Sequence, residues 1–301
     1  MSATAQESGA LRVYGALVLV QVFFGLHYLA AKRLLVEIHP QAWALMRVAA
    51  AAGLLLLLAR LAGRRWPRRG ADYARLAWFS LFGVVINQIC FVEGLSRTTP
   101  THSAIINTMI PVLTLSIAVL LRREALTGWK IVALVLALAG ALLVVNPQRA
   151  AEHPASVAGD LITLVNATSF SFFLVISKRL LTRTDPLVAT ALLFAFGTLG
   201  VGAVGAGELL AIEPRAISPL VWWLALFIVV FPTAGAYLLN YWALARVDSS
   251  MVALFIYLQP VLAAALSALV FGERPGADVL AGAALIFAGV FLAVRRPRGS
   301  P

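Results

Sequence analysis

Thirteen side chains suited to holding a small solute are stranded inside apolar stretches of this sequence: Gln21, Phe24, His27 and Tyr28; Asn87 and Phe91; Asn107; Asn166, Ser169 and Phe173; Tyr237 and Asn240; and Tyr257. Amides, hydroxyls, an imidazole and aromatic rings hydrogen-bond and stack, but they do not make a nucleophile with its base. No HExxH, GxSxG or GxxxxGKS/T pattern occurs, and no carboxylates gather at one point. The residues therefore predict no catalytic group, no metal ligand and no cofactor. What they offer is contact area from rings and hydrogen bonds from amides for a small amphipathic molecule.

These side chains also fall on shared faces. At helical spacing Gln21, Phe24, Gly25 and Tyr28 line up, with His27 about 100° away from Tyr28. Asn107 shares a face with Ser103, Pro111 and Thr114. Asn166, Ser169, Phe170, Phe173 and Ser177 align, as do Thr233, Tyr237, Asn240 and Tyr241. Tyr257 and Gln259 flank Pro260 on different faces. An isolated Asn or Gln has a second explanation, an interhelical hydrogen bond worth about 1 kcal/mol. The clustering of polar positions in some apolar stretches and their near absence from others favours a common pocket.

The elements that must position these groups are membrane helices. A chain of 301 residues that is 61% hydrophobic, with a mean hydropathy of +0.91, has too little polar surface to cover a soluble globule. A bilayer crossing needs roughly 20 mostly apolar residues. Ten segments qualify: 11–31, 42–61, 74–94, 101–121, 128–146, 157–177, 187–208, 218–240, 249–270 and 276–294. The connections are short, polar or Pro/Gly-containing, so neighbours should run antiparallel. The first segment lacks a small-residue cleavage site and is expected to be a retained helix. Cys90, the single cysteine, excludes a disulfide within one chain.

The chain repeats itself. Pro111 is followed by Glu124 and Gly140, and Pro260 by Glu273 and Gly289, at the same steps. Arg97 and Arg246, Leu95 and Leu244, and Ala104 and Ala253 keep that offset of 149. Nearer the N-terminus an offset of 146 pairs Lys32-Arg33-Leu34-Leu35 with Lys178-Arg179-Leu180-Leu181 and Pro40 with Pro186. Two related units result, 11–146 and 157–294. Five helices per unit is an odd number, so the second unit should thread the bilayer upside down relative to the first. The fold expected is an all-α integral membrane protein of ten transmembrane helices in two inverted five-helix repeats, with a solute site near the midplane between them.

The net charge of +11 does not signal nucleic acid, because the basic residues sit in the connections. With the N-terminus inside, 17 of the 24 Lys and Arg fall on the inner side, 6 on the outer side, and Arg47 lies within a helix. Both termini should then be cytoplasmic. The run from Arg60 to Arg75 carries most of this bias and reads as a headgroup-facing topogenic segment. Arg47 has three destinations: the outer headgroups, Glu93, or a solute carboxylate. Glu93 reads as an interfacial acid. His27 is either a proton carrier or a neutral hydrogen-bonding ring. Glu124 and Glu273 are placed to cap the helices that follow them. Pro111 and Pro260 each delete a backbone hydrogen bond, giving static bends or gating kinks. Gly140, Gly282 and Gly289, with Gly197, Gly200 and Gly205, are expected at close helix contacts.

Phe24-Gly25-Leu26-His27-Tyr28 with Lys32 beyond it, Arg47, and Pro111 to Arg123-Glu124 with its copy Pro260 to Gly272-Glu273 resemble the EamA-type branch of the drug/metabolite transporter superfamily. The resemblance spans about 11–294. It departs where Phe24 and Leu26 replace the first and third members of a Trp-Gly-Ser/Thr motif, and where Glu93-Gly94-Leu95 replaces Tyr-Ala-Leu; the second half keeps Trp242-Ala243-Leu244. The resemblance implies a secondary transporter of a bacterial inner membrane, exporting amino acids or similar metabolites by alternating access. Its partners would be a small-molecule substrate and the lipid bilayer, and ten helices enclosing a cavity suggest a monomer, with a dimer as the alternative. The alternatives are a carrier of drugs or nucleotide-sugar-like metabolites, and a non-transporting membrane scaffold. The absence of a mid-membrane acid in the first helix, where Gln21 stands, disfavours cationic drugs.

Overall fold

The computed structural model describes residues 3–98, 103, 106–145, 157–262, 265 and 277–295. The seam near 146–156, Glu273, Arg149 and Arg274 lie outside the described residues, as does the side chain of Tyr28. All regular structure among the described residues is helical. The rods are α1 (Ala3–Leu34), α2 (Pro40–Leu61), α3 (Gly70–Arg97), α4 (Met109–Leu120) and α5 (Gly128–Val145). There follow α6 (Val157–Leu181), α7 (Pro186–Leu210), α8 (Pro219–Leu244), α9 (Ser249–Leu262) and α10 (Ala277–Arg295). Six of them, α1, α2, α3, α6, α7 and α8, are long and apolar enough to cross a membrane, and the others contribute shorter apolar helices.

Local chemistry sets the ends. Pro40, Pro186 and Pro219 open α2, α7 and α8, where a missing N–H costs nothing. Asp185 caps α7, accepting from the backbone N–H of Leu187 at 2.9 Å and Val188 at 3.3 Å. Outward faces carry exposed Leu57, Trp78, Val135, Leu161, Leu199, Trp223 and Phe287, whereas Gln21, Arg47, Asn87, Gln88, Asn166 and Asn240 are buried. That polarity is inverted relative to a soluble globule and suits hydrocarbon surroundings.

Contacts between the two halves come in matched sets. α1 packs on α8 and α6 on α3, while α2 pairs with α7, α4 with α9, and α5 with α10. Exchanging the halves maps this list onto itself. The α5–α10 contact shows the match atom by atom: a Cβ on Gly140 would stand 2.5 Å from the carbonyl oxygen of Gly282, and one on Gly289 2.7 Å from that of Ala133. Gly140 and Gly289, like Ala133 and Gly282, are 149 residues apart. Gly197, Gly200 and Gly205 let α7 close on Val84, Val85 and the Gln41 carbonyl.

Two features were not foreseen. Within α3, Leu81–Ile86 is a π-helix, and within α8, Val229–Gly235 is another, with Pro232 inside it. Shifted by 149 residues the first falls on the second. A π-turn inserts an extra residue into the helical register and so re-aims whatever follows it; Asn87-Gln88 and Ala236-Tyr237 follow these two.

The connections gather at two ends. At one, Lys32 Nζ donates to the Leu95 carbonyl at 3.3 Å, Thr98 Oγ1 donates to Asp160 at 2.6 Å, and Glu37 accepts from the N–H of Ser218 at 2.8 Å and its Oγ at 3.0 Å. The Ser218 N–H, and then Arg33, hold the Glu37 carboxyl below its ordinary range. At the other end Arg64 meets Asp185 at 3.5 Å, and Lys178 meets Asp248 at 3.1 Å. Here Glu124 bonds Lys130 at 2.8 Å, the Ser250 N–H at 3.1 Å and the Ser250 hydroxyl. Glu124 therefore caps α9, across the bundle, and not the helix next to it in sequence. Around it, partial burial pushes the Asp248 carboxyl up, but Lys178 and then Lys130 outweigh burial and hold it below its ordinary range.

Candidate functional site

A cavity opens where the halves meet, with about 70 Å³ of space for the centres of water-sized spheres, room for several waters or a small solute. Four pairs of lining residues are related by the internal repeat: Phe24 with Phe170 at an offset of 146, and Gln88 with Tyr237, Asn107 with Ile256, and Ile110 with Gln259 at 149. The cavity thus sits on the relation between the halves. His27, Arg47, Asn87, Phe91 and Asn166 complete the lining without a repeat-related partner in it.

Three of the pairs lie at local breaks. The π-segments present Gln88 and Tyr237, and these two side chains meet: Gln88 Nε2 donates to the Tyr237 oxygen at 2.6 Å, and the Tyr237 hydroxyl donates to Asn87 Oδ1 at 2.8 Å. Asn166 Nδ2 donates to the backbone carbonyl of Asn87 at 2.8 Å, fastening α6 to the end of the π-turn. Pro111 and Pro260 cannot donate to the carbonyls four residues earlier, those of Asn107 and Ile256. The chain turns at Thr108 before α4, and winds as a 3₁₀ turn over Phe255–Tyr257 in α9. Asn107 and Ile256, left at these breaks, face the cavity.

The rings form one wall. Phe24 and Phe170 both stand edge-on to Tyr237, with centroids 5.8 Å and 6.3 Å from it. On the opposite chemistry, His27 stacks on Phe91 at 5.2 Å, and Arg47 Nη1 lies 2.8 Å from His27 Nε2. A guanidinium only donates. Nε2 is therefore placed as the acceptor, the contact that the neutral hydrogen-bonding ring, one of the two alternatives, would make.

Of the thirteen residues marked from sequence, Phe24, His27, Asn87, Phe91, Asn107, Asn166 and Tyr237 are brought together in this lining. Five are placed around it. Gln21 accepts from Gln259 Nε2 at 2.8 Å and so orients a lining residue. Ser169 donates to the Phe82 carbonyl inside the first π-segment at 2.9 Å. Phe173 packs on Tyr241, 5.1 Å between centroids, and against Gly83. Asn240 and Tyr257 are buried in the packing outside the cavity. The side chain of Tyr28 lies outside the described residues.

The sequence leaves Arg47 open, names Phe170 and Gln259 without marking them as site residues, and marks Asn87 but not its neighbour Gln88. Arg47 is 2% exposed, so it does not reach the headgroups, and Glu93 pairs instead with Arg97 at 2.9 Å. The signal that could have found it is its charge alone: a cation about 10 Å into a helix has to face the interior.

Comparison with known proteins agrees with this architecture. The model of the EamA-like transporter family matches the chain twice, over residues 11–146 and 157–295. An uncharacterized transporter of Archaeoglobus fulgidus is 23% identical over 93% of this chain and 98% of its own length. Another, YyaM of Bacillus subtilis, is 25% identical over 94% and 93%. A protein solved by crystallography superimposes with a TM-score of 0.75 at 18% identity, over 95% of this chain and 96% of that one, which establishes a common fold. Matched once in each half and along nearly all of its length, this multi-pass membrane chain belongs to the EamA-like transporter family.

Proposed function

We propose that the chain is a secondary transporter that exports amino acids or similar small amphipathic metabolites across the inner membrane by alternating access. The observation that carries this reading is the cavity on the seam, walled by Phe24, Phe170 and Tyr237 and edged by the amides of Asn87, Gln88, Asn107 and Gln259. Rings match an apolar body and amides its polar ends.

Ten crossings in two inverted repeats are the architecture that goes with it. The end contacts support it: the C-terminal end of α1, at Lys32, and the N-terminal end of α6, at Asp160, both meet the C-terminal end of α3. Antiparallel first helices are what inverted halves require. The end holding Arg64, Lys130 and Lys178 is the more basic one, which supports a cytoplasmic placement for it and for both termini. Arg47 in the cavity disfavours cationic drugs. Bends at Pro111 and Pro260, one in each half, are the hinges by which the two ends would open in turn, and one chain encloses the site, so the working unit is a monomer in the bilayer.

The test is counterflow of a panel of labelled amino acids in proteoliposomes, repeated for His27→Ala and Asn107→Ala. Uptake above empty liposomes, lowered at least severalfold in both variants, is expected. No uptake of any member of the panel favours the scaffold alternative, and unchanged uptake in both variants removes the cavity from the transport path.

A further inference from the structure

Arg47 is a buried cation that the described protein does not neutralise. Its guanidinium has five N–H donors. One is spent on His27, a neutral partner, at 2.8 Å. The guanidinium carbon lies 5.7 Å from the centre of the Phe91 ring, a contact that orients it without cancelling its charge. Its Nε is buried with no hydrogen-bond partner among the described residues. Glu93, the acid one would expect to answer it, is held by Arg97. A buried charge left in this state is costly unless a counter-charge arrives, and the direction from which one can arrive is the cavity that Arg47 lines.

The same wall holds an orphan of the opposite kind. Gln88 spends its amide N–H groups on Tyr237 and Asn87, while its Oε1 is buried with no partner among the described residues. A cation with unused donors and an amide oxygen with an unused lone pair, on two residues that line one small ring-walled cavity, match the two ends of a zwitterion.

We infer that Arg47 is the anchor for a substrate carboxylate, that Gln88 Oε1 receives the ammonium or another donor of the same molecule, and that His27 is a positioning residue for the guanidinium. Carboxylate recognition by a planar guanidinium is paired and directional, which a lysine does not reproduce. The assignment rests on the transport reading for the passage of solute through the cavity, and deepens it: the cargo carries a carboxylate next to its donor group, with an apolar remainder lying toward Phe24, Phe170 and Tyr237.

The test is binding to the purified full chain in detergent, read as thermal stabilisation against ligand concentration. The probes are L-phenylalanine, 3-phenylpropionate, which keeps only the carboxylate, L-phenylalaninamide, which lacks it, and chloride and inorganic phosphate. The two carboxylates should stabilise the protein, and the amide should bind roughly ten- to a hundredfold more weakly, the loss that goes with one charge-assisted contact. Arg47→Gln should abolish the preference for the acid over the amide. Arg47→Lys should restore it only in part, and His27→Gln, which keeps the cation, should weaken it without abolishing it. The wild-type comparison stands even if a variant fails to fold.

The assignment is overturned if the amide binds as well as the acid, if neither carboxylate binds, if only chloride or phosphate binds, or if folded Arg47→Gln keeps the preference. Transport that occurs equally with the amide would leave the transport reading standing and remove the anchor. Carboxylate-selective binding through Arg47 without counterflow would do the reverse.

Discussion

At the scale of single residues, most of the charge among the described residues lies toward the two ends of the bundle and the neutral hydrogen bonds lie inside, with Arg47 the charged residue that lines the cavity. The Asn87, Gln88 and Tyr237 triad is closed by distances of 2.6 to 3.3 Å, and an amide left without a partner there would cost more than the bond itself contributes. The cluster at Asp248 lies outside the membrane segments and titrates where it can be measured. Its carboxyl is held below the ordinary range by Lys178 and Lys130 against the effect of burial. A depressed carboxylate contributes stability that is complete above the unfolded-state value, about pH 4, and is lost as pH falls through the lower folded value. Thermal midpoints of the detergent-solubilised protein should therefore drop below about pH 4, and Asp248→Asn should lower the midpoint at neutral pH and flatten that part of the profile. A profile unchanged by Asp248→Asn would show that these ties carry no stability. The sequence alone could mark Asn87, Asn107 and Asn166 as inward-facing, because an amide in hydrocarbon has few other places to go. It could not choose among the destinations of Arg47, since that depends on Glu93 being occupied by Arg97.

At the scale of elements, the breaks in the helices matter more than the helices. Hydropathy finds an apolar segment whether it winds as α, π or 3₁₀, so the π-turns at Leu81–Ile86 and Val229–Gly235 left no mark in the sequence reading. The face assignments inherit that blindness. A 3₁₀ turn advances each residue by about 120° where an α-helix gives 100°, and after the turn at Phe255–Tyr257 it is Gln259 that lines the cavity and Tyr257 that is buried. Close contacts were legible because small residues have one common use between membrane helices. The α5–α10 pair offers a test of the internal repeat. Gly140→Ala and Gly289→Ala each drive a methyl group into a backbone carbonyl at 2.5 and 2.7 Å, and each should destabilise by about 1–3 kcal/mol. The two losses should be similar, because the positions are equivalent. Gly128→Ala, with nothing within 4 Å of its Cβ, should be neutral or slightly stabilising. Thermal denaturation of the three purified variants decides: a harmless Gly140→Ala, or losses that differ widely between Gly140 and Gly289, would contradict the matched packing.

At the scale of the whole molecule, the repeat of Pro111, Glu124 and Gly140 in Pro260, Glu273 and Gly289 marks two related halves in the sequence, since kinks and close contacts require particular residue types at fixed places. Which helix of one half meets which of the other follows from packing and was not written in spacing. The transport account needs those halves to face opposite ways, with α1 and α6 starting at opposite faces of the membrane. In a Cys90→Ala background, single cysteines can be placed at Leu11 and Thr182 near the basic end and at Val36 and Val157 near the other. Leu11 and Val157, each 74% exposed, and Val36, 76% exposed, are open to reagent. A membrane-impermeant maleimide applied to intact cells should label the cysteines at Val36 and Val157, and reach those at Leu11 and Thr182 only after permeabilisation. Labelling of the Leu11 and Val157 positions from the same side would mean that the halves run in parallel, and would contradict the account at its root.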